Sequence, residues 1–147
     1  MDITRNSFFV RLAGLFLVAG IYAASTTMSA SQSELPDPVD TWYEALKSAD
    51  RETFDQIIAE AAMIELKYLD VIQTKDEFIE SLDSWEDIAD GVSIRTRLVS
   101  ATAESATVEV CYRFPDNERL NIENFVFSDG LIRSSVQELK AETCDGL

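Results

Sequence analysis

Apolar positions along this chain follow two different periods. Between residues 37 and 91 they recur mainly at helical spacing. Val39, Trp42, Tyr43 and Leu46 form one stripe, with Asp37 as a cap and Pro38 at the first helical position. A second helix starts from Asp50 as its cap and carries Phe54, Ile57, Ile58 and Ala61. The stretch AMIELKYLDVI shifts towards a period of two, which predicts a short strand or extended segment. A third helix opens at Thr74, where Glu77 three residues later completes a capping box; it buries Phe78, Ile79, Leu82 and Trp85 and stops at Gly91. From Val92 onward the pattern is strands only, over roughly 92–100, 106–114, 119–128 and 131–139, broken by ATAES, PDNE and Asp129-Gly130. Helices first and strands last predict an α+β domain, with N-terminal helices packed on a curved antiparallel sheet.

The turns assign side chains to faces, because residues opposite one another in an antiparallel pair point the same way. A two-residue turn at Asp129-Gly130 sets Phe127 opposite Ile132, Phe125 opposite Ser134 and Glu123 opposite Val136. A four-residue turn at Pro115–Glu118 sets Val110 opposite Glu123, Val108 opposite Phe125 and Tyr112 opposite Asn121. One face is then mostly apolar and belongs under the helices, with Glu123 inside it. The other carries Arg95, Arg97, Arg113 and Arg133 beside Glu109, Cys111 and several apolar residues. Those arginines either pair across strands with acidic neighbours or meet an acidic surface, such as a second copy of the chain.

Charge and the first 31 residues add the compartment. Arg5 and Arg11 precede an unbroken apolar and small run from Leu12 to Ala24, followed by small residues, which is the layout of a signal peptide over residues 1–31. The run is 13 residues, against roughly 20 for a bilayer span, so no stable membrane anchor is expected. A single domain over 36–147, exported to the periplasm, follows. Removal of the leader takes Asp2, Arg5 and Arg11 from 27 acidic and 12 basic residues, leaving a net charge of −16. A surface that negative repels nucleic acid and anionic lipid.

The chain has two cysteines, Cys111 and Cys144, and no histidine. In an oxidising compartment one disulfide is expected, folding the tail KAETCDGL over the outer sheet face, with two free thiols as the alternative. Without histidine, Ser-His-Asp and Cys-His catalysis and histidine metal sites are excluded. No Gly-rich phosphate loop, EF-hand spacing or CxxC is present, and SWEDIADG places Ile88 where a calcium loop needs an oxygen ligand. Neither a cofactor nor a metal is expected.

The order of elements, the helix 1 stretch VDTWYEALKSAD, the TKDEFIESL helix and the FVFSDGLI hairpin together resemble the nuclear transport factor 2-like superfamily over about residues 36–139. The resemblance implies a cystatin-like cone: a curved sheet wrapped around helices, with a cavity between helix 1 and the concave face. Members include SnoaL-like cyclases, ketosteroid isomerase-like enzymes, dehydratases and domains that only bind ligands or partners, often as dimers through the outer face. Fold alone therefore leaves activity open.

Within that frame the candidate cavity residues are Tyr43, Trp42, Val110, Phe125, Phe127 and Ser134. Glu123 and Tyr112 are the candidate catalytic pair, with Tyr43 as the alternative hydrogen-bond donor. Glu123 on an apolar face would have its pKa raised and could transfer a proton, or it could sit at the cavity mouth in water or pair with Asn121 or Tyr112. Trp42 and Tyr43 point about 100° apart, so they occupy different parts of the stripe. The leading expectation is a domain that holds a small apolar or amphipathic ligand, or a partner segment. The alternatives are a proton-transfer isomerase, cyclase or dehydratase, and an assembly subunit acting through the outer face.

Overall fold

Thr74 marks the join between the last residue of a short strand and the start of the longest helix. Its hydroxyl accepts from the Glu77 backbone N–H at 3.4 Å while the Glu77 carboxylate accepts from the Thr74 backbone N–H at 2.8 Å, a complete capping box. The computed structural model describes residues 34–147, so the signal peptide inferred for residues 1–31 lies outside the described residues. The elements are α1 (Asp37–Lys47), α2 (Arg51–Ile57), β1 (Ile58–Leu66), a 3-10 turn (Lys67–Leu69), β2 (Val71–Thr74), α3 (Lys75–Ile88), β3 (Ser93–Ala101), β4 (Ser105–Arg113), β5 (Glu118–Ser128) and β6 (Leu131–Ala141). This is the expected α+β cone, three helices on one six-stranded sheet.

Two of the three helices start at the expected caps, and α2 ends before its apolar pattern does. At α1 the residue before the helix is Pro36, whose carbonyl accepts from Val39 and Asp40, so Asp37 is already helical rather than the cap. Asp50 does cap α2, accepting from the Thr53 N–H at 3.1 Å. That helix, however, ends at Ile57, and Ile58 and Ala61 belong to a nine-residue β1. No glycine or proline stops it. Pairing with β6 overrides a local pattern that fits either state.

The sheet order is β2-β1-β6-β5-β4-β3. It is mixed rather than wholly antiparallel, because β1 runs parallel to β6. The crossover from β1 to β6 carries β2, α3 and the whole meander, so only the tertiary fold reveals the pair.

Register was right at one end and displaced at the other. Asp129 and Gly130 both have positive φ, 56° and 76°, which matches the two-residue hairpin and puts Phe127 opposite Ile132. Immediately beyond, Arg133 is an extra residue. Val126 pairs with Ser134, Phe125 with Ser135 and Glu123 with Gln137. This bulge reverses the parity of β6, so Ser135 and Gln137 take the places read for Ser134 and Val136. Between β4 and β5 the loop is Phe114–Asn117 rather than Pro115–Glu118. Val108 therefore faces Glu123 and Val110 faces Asn121, a two-residue displacement that leaves each strand's inner and outer faces unchanged.

The core lies between α1, α3 and the inner sheet face. Trp42 stacks on Phe78 at 4.9 Å and meets Phe54 and Phe125 edge-on at 5.0 and 5.6 Å. Trp85 donates its indole N–H to the Leu46 carbonyl at 2.7 Å, which ties α3 to the end of α1.

The outer face is closed by ion pairs and by the tail. Glu109 is buried between Arg97 and Lys140, and Arg113 pairs with Glu118 at 2.9 Å. Cys111 and Cys144 are disulfide-bonded, which removes the free-thiol alternative. Beyond the bond, Arg97 and Arg95 donate to the main-chain oxygens of Gly146 and Leu147 at 2.6 and 2.9 Å, while the Cys144 N–H donates to Glu118 at 2.8 Å. Three of the four outer-face arginines thus find partners within the chain.

Candidate functional site

Between α1, α3 and the concave face lies a cavity of about 730 Å³. Its walls are largely apolar, with Trp42, Ile64, Phe78, Leu82 and Trp85 among them. The mouth is framed by the 3-10 turn, the end of α3 and the β4–β5 loop. There the Arg119 guanidinium lies 5.6 Å from the centre of the Tyr68 ring, and Leu69 and Ile88 are exposed.

The inner end is polar. Tyr112, Asn121, Glu123 and Gln137 all reach the cavity surface, and all are at most 8% exposed. Glu123 on β5 accepts three hydrogen bonds. Tyr43 donates to Oε2 at 2.8 Å from α1, Ser135 donates to Oε1 at 2.5 Å, and Gln137 Nε2 donates to Oε2 at 3.2 Å, the last two from β6. The same Gln137 nitrogen donates to the Tyr112 hydroxyl at 3.2 Å, and Gln137 Oε1 accepts from Asn121 Nδ2 at 3.0 Å. One connected group thus joins α1, β4, β5 and β6.

Burial governs the titration of this group. It pushes the Glu123 carboxyl upward, partly opposed by the hydrogen bonds from Ser135, Tyr43 and Gln137. Burial, followed by the charge of Glu123, raises both Tyr43 and Tyr112 well above the usual tyrosine value, so both remain hydroxyl donors. Among the described residues no lysine or arginine is bonded to Glu123.

The candidate residues divide between wall, core and rim. Trp42, Tyr112 and Glu123 border the cavity, and Tyr43 bonds Glu123 from α1. Val110 and Phe125 are buried in the core, outside the cavity lining. Phe127 borders a separate hollow beside Pro36 and Gly130. Ser134 lies opposite Val126, whose side chain is exposed; the serine that meets Glu123 is Ser135. Nothing in the letters SSVQ reveals the extra residue at Arg133, so the sequence does not point to Ser135 and Gln137. Asn121, an expected neighbour of Glu123, is joined to it through Gln137.

The carboxylate has a testable thermodynamic consequence. A raised Glu123 pKa means the folded state holds the proton more tightly than the unfolded chain, so this contribution to stability is full below the ordinary carboxylate range. It is lost as pH rises through the elevated folded value. Glutamine can keep the bonds, its amide N–H donating to Ser135 while its carbonyl accepts from Tyr43 and Gln137. Glu123→Gln is expected to melt close to wild type near pH 4 and progressively above it towards pH 8. A melting-temperature difference that stays constant with pH would contradict this.

No family model matches the chain, and no curated protein matches it. Solved structures do. A protein from Kribbella flavida assigned as a ketosteroid isomerase superposes with a TM-score of 0.59 at 15% identity, over 73% of this chain and 78% of its own. IdmH from Streptomyces antibioticus, assigned as a polyketide cyclase, gives 0.61 at 15%, over 71% and 90%. An NTF-2-like protein of unknown function from Burkholderia xenovorans gives 0.58 at 12%, over 70% and 80%. The chain has the nuclear transport factor 2-like fold, as its sequence pattern implied.

Proposed function

We propose that this domain holds one small, largely apolar molecule in its cavity, with the molecule's polar end against Tyr112, Asn121 and Glu123. The observation that carries this reading is the cavity itself: about 730 Å³, apolar along its walls and ending in a buried polar group. Such a volume falls within the roughly 300–1,000 Å³ of small-molecule sites, and a few polar groups in an apolar recess are what orient a ligand. A neutral solvatochromic dye such as Nile red is expected to bind saturably at one site per chain. Ser81→Trp, which adds an indole from the α3 wall, is expected to weaken it at least about tenfold, the loss of one to two kcal/mol of apolar contact. Equal binding by wild type and Ser81→Trp would count against the cavity as the site.

A second reading is a proton-transfer enzyme of isomerase, cyclase or dehydratase type, with Glu123 as base or acid and Tyr112 as donor. It is favoured by a buried carboxyl at the cavity surface with no lysine or arginine bonded to it, and by the assigned activities of two of the similar structures. A third reading pairs two copies through the outer sheet face. The tail occupies part of that surface, so this pairing would be sensitive to the disulfide.

Export to the periplasm is proposed from residues 1–31. The Cys111–Cys144 bond is compatible with it. Among the described residues no helix is long and apolar enough to cross a membrane.

A further inference from the structure

The hydrogen-bond chain at the inner end of the cavity has a direction, and that direction selects a ligand. Glu123 Oε2 accepts from Tyr43 at 2.8 Å and from Gln137, which therefore turns its NH₂ towards it at 3.2 Å. The Gln137 carbonyl oxygen then faces Asn121, which must in turn present its own NH₂, at 3.0 Å. Asn121 Oδ1 is left over. Asn121 is 2% exposed, and its Oδ1 has no donor among the described residues. Because each amide is oriented by the one before it, turning Asn121 over would bring two carbonyl oxygens together. The orphaned acceptor is a consequence of the carboxylate two side chains away.

A second group completes the pattern. The Tyr112 hydroxyl accepts from Gln137, and among the described residues no acceptor takes its proton. Tyr112 and Asn121 both line the cavity and both bond the same Gln137 amide, which holds the free proton and the free acceptor on one linked group.

We infer that Asn121 Oδ1 and the Tyr112 hydroxyl form the polar recognition point of the cavity, selecting a neutral ligand whose hydroxyl group donates to Asn121 and accepts from Tyr112. This rests on the cavity-binding reading given above. A hydroxyl satisfies both groups at once. An ether can accept from Tyr112 but has nothing to donate to Asn121. A carboxylate also lacks the donor and brings its charge into a poorly solvated recess. The ligand class is therefore an apolar alcohol or phenol.

Three probes of one shape separate these cases: 2-naphthol, 2-methoxynaphthalene and 2-naphthoate, titrated at pH 7 by calorimetry. Apolar transfer alone favours the ether over the phenol. A wild-type preference for 2-naphthol of about tenfold, the effect expected for pairing a buried unsatisfied acceptor, would support the inference, with 2-naphthoate weakest. In Asn121→Leu that preference is expected to collapse to within about twofold, while 2-methoxynaphthalene keeps its affinity. Asn121→Ala reads the same difference if the leucine variant does not fold. Equal wild-type affinity for phenol and ether overturns the inference, as does a preference that survives in the Asn121 variants. If none of the three probes binds wild type, the cavity-binding reading fails and takes this inference with it.

Discussion

Trp42→Ala is expected to lower the stability of the domain by about 3–5 kcal/mol, a large share of the roughly 5–15 kcal/mol available to a domain of this size. The indole is 2% exposed and touches Phe54, Phe78 and Phe125 together, so it joins α1 to α2, α3 and β5 at a single point. Truncation removes its apolar burial and leaves a hole that three rings on three different elements cannot close without moving those elements. The same wall borders the cavity, so ligand capture should fall with stability. Urea denaturation is the measurement: a lower midpoint with unchanged slope is expected. Val126→Ala, on the exposed side of β5, serves as the comparison and should shift stability by no more than about 0.5 kcal/mol. Comparable losses for the two variants would refute the central role of Trp42.

The second large effect belongs to the tail. Cys111 and Cys144 close a loop with a sequence separation of 33, for which restriction of the unfolded chain is worth about 3–4 kcal/mol. The double variant Cys111→Ala, Cys144→Ala is expected to lose about that much in urea. It should also release the bonds from Arg95 and Arg97 to the tail and uncover Leu120, which packs with the two cysteines. If copies of the chain pair through the outer face, sedimentation of this variant should show more self-association than wild type. Identical urea midpoints for oxidised and reduced wild type would remove the stabilising role given to the bond.

Most of the architecture was legible because it rests on local chemistry. The Thr74–Glu77 capping box, the Asp50 cap and the Asp129-Gly130 turn depend on residues within a few positions of one another, and each stands where the sequence put it. The strand faces of β3, β4 and β5 were legible for a related reason. A loop misjudged by one residue at each end displaces the pairing by two and leaves parity intact, so Glu123, Val108 and Phe125 remained inside although their partners changed.

The site was legible only in part, and the missing part hinges on single residues. Glu123 was singled out because a charge on an apolar face is conspicuous. Of its three donors Tyr43 was legible and the two from β6 were not, because the bulge at Arg133 shifts parity by one and exchanges Ser134 and Val136 for Ser135 and Gln137. A buried carboxylate beside valine would lack donors, and the bulge supplies two of its three. Likewise Ile58 and Ala61 read as helix until β6 is present to pair with β1.

The sequence by itself determined the class of fold, the inner and outer faces of β3, β4 and β5 and the presence of one anomalous carboxylate, because caps, turns and alternation are short-range. Tertiary structure decided which side chains meet that carboxylate, that β1 lies parallel to β6, and that the linked amides leave Asn121 with an unpaired oxygen at the cavity. Those outcomes depend on contacts across 12 to 80 residues, where a one-residue shift exchanges one set of neighbours for another.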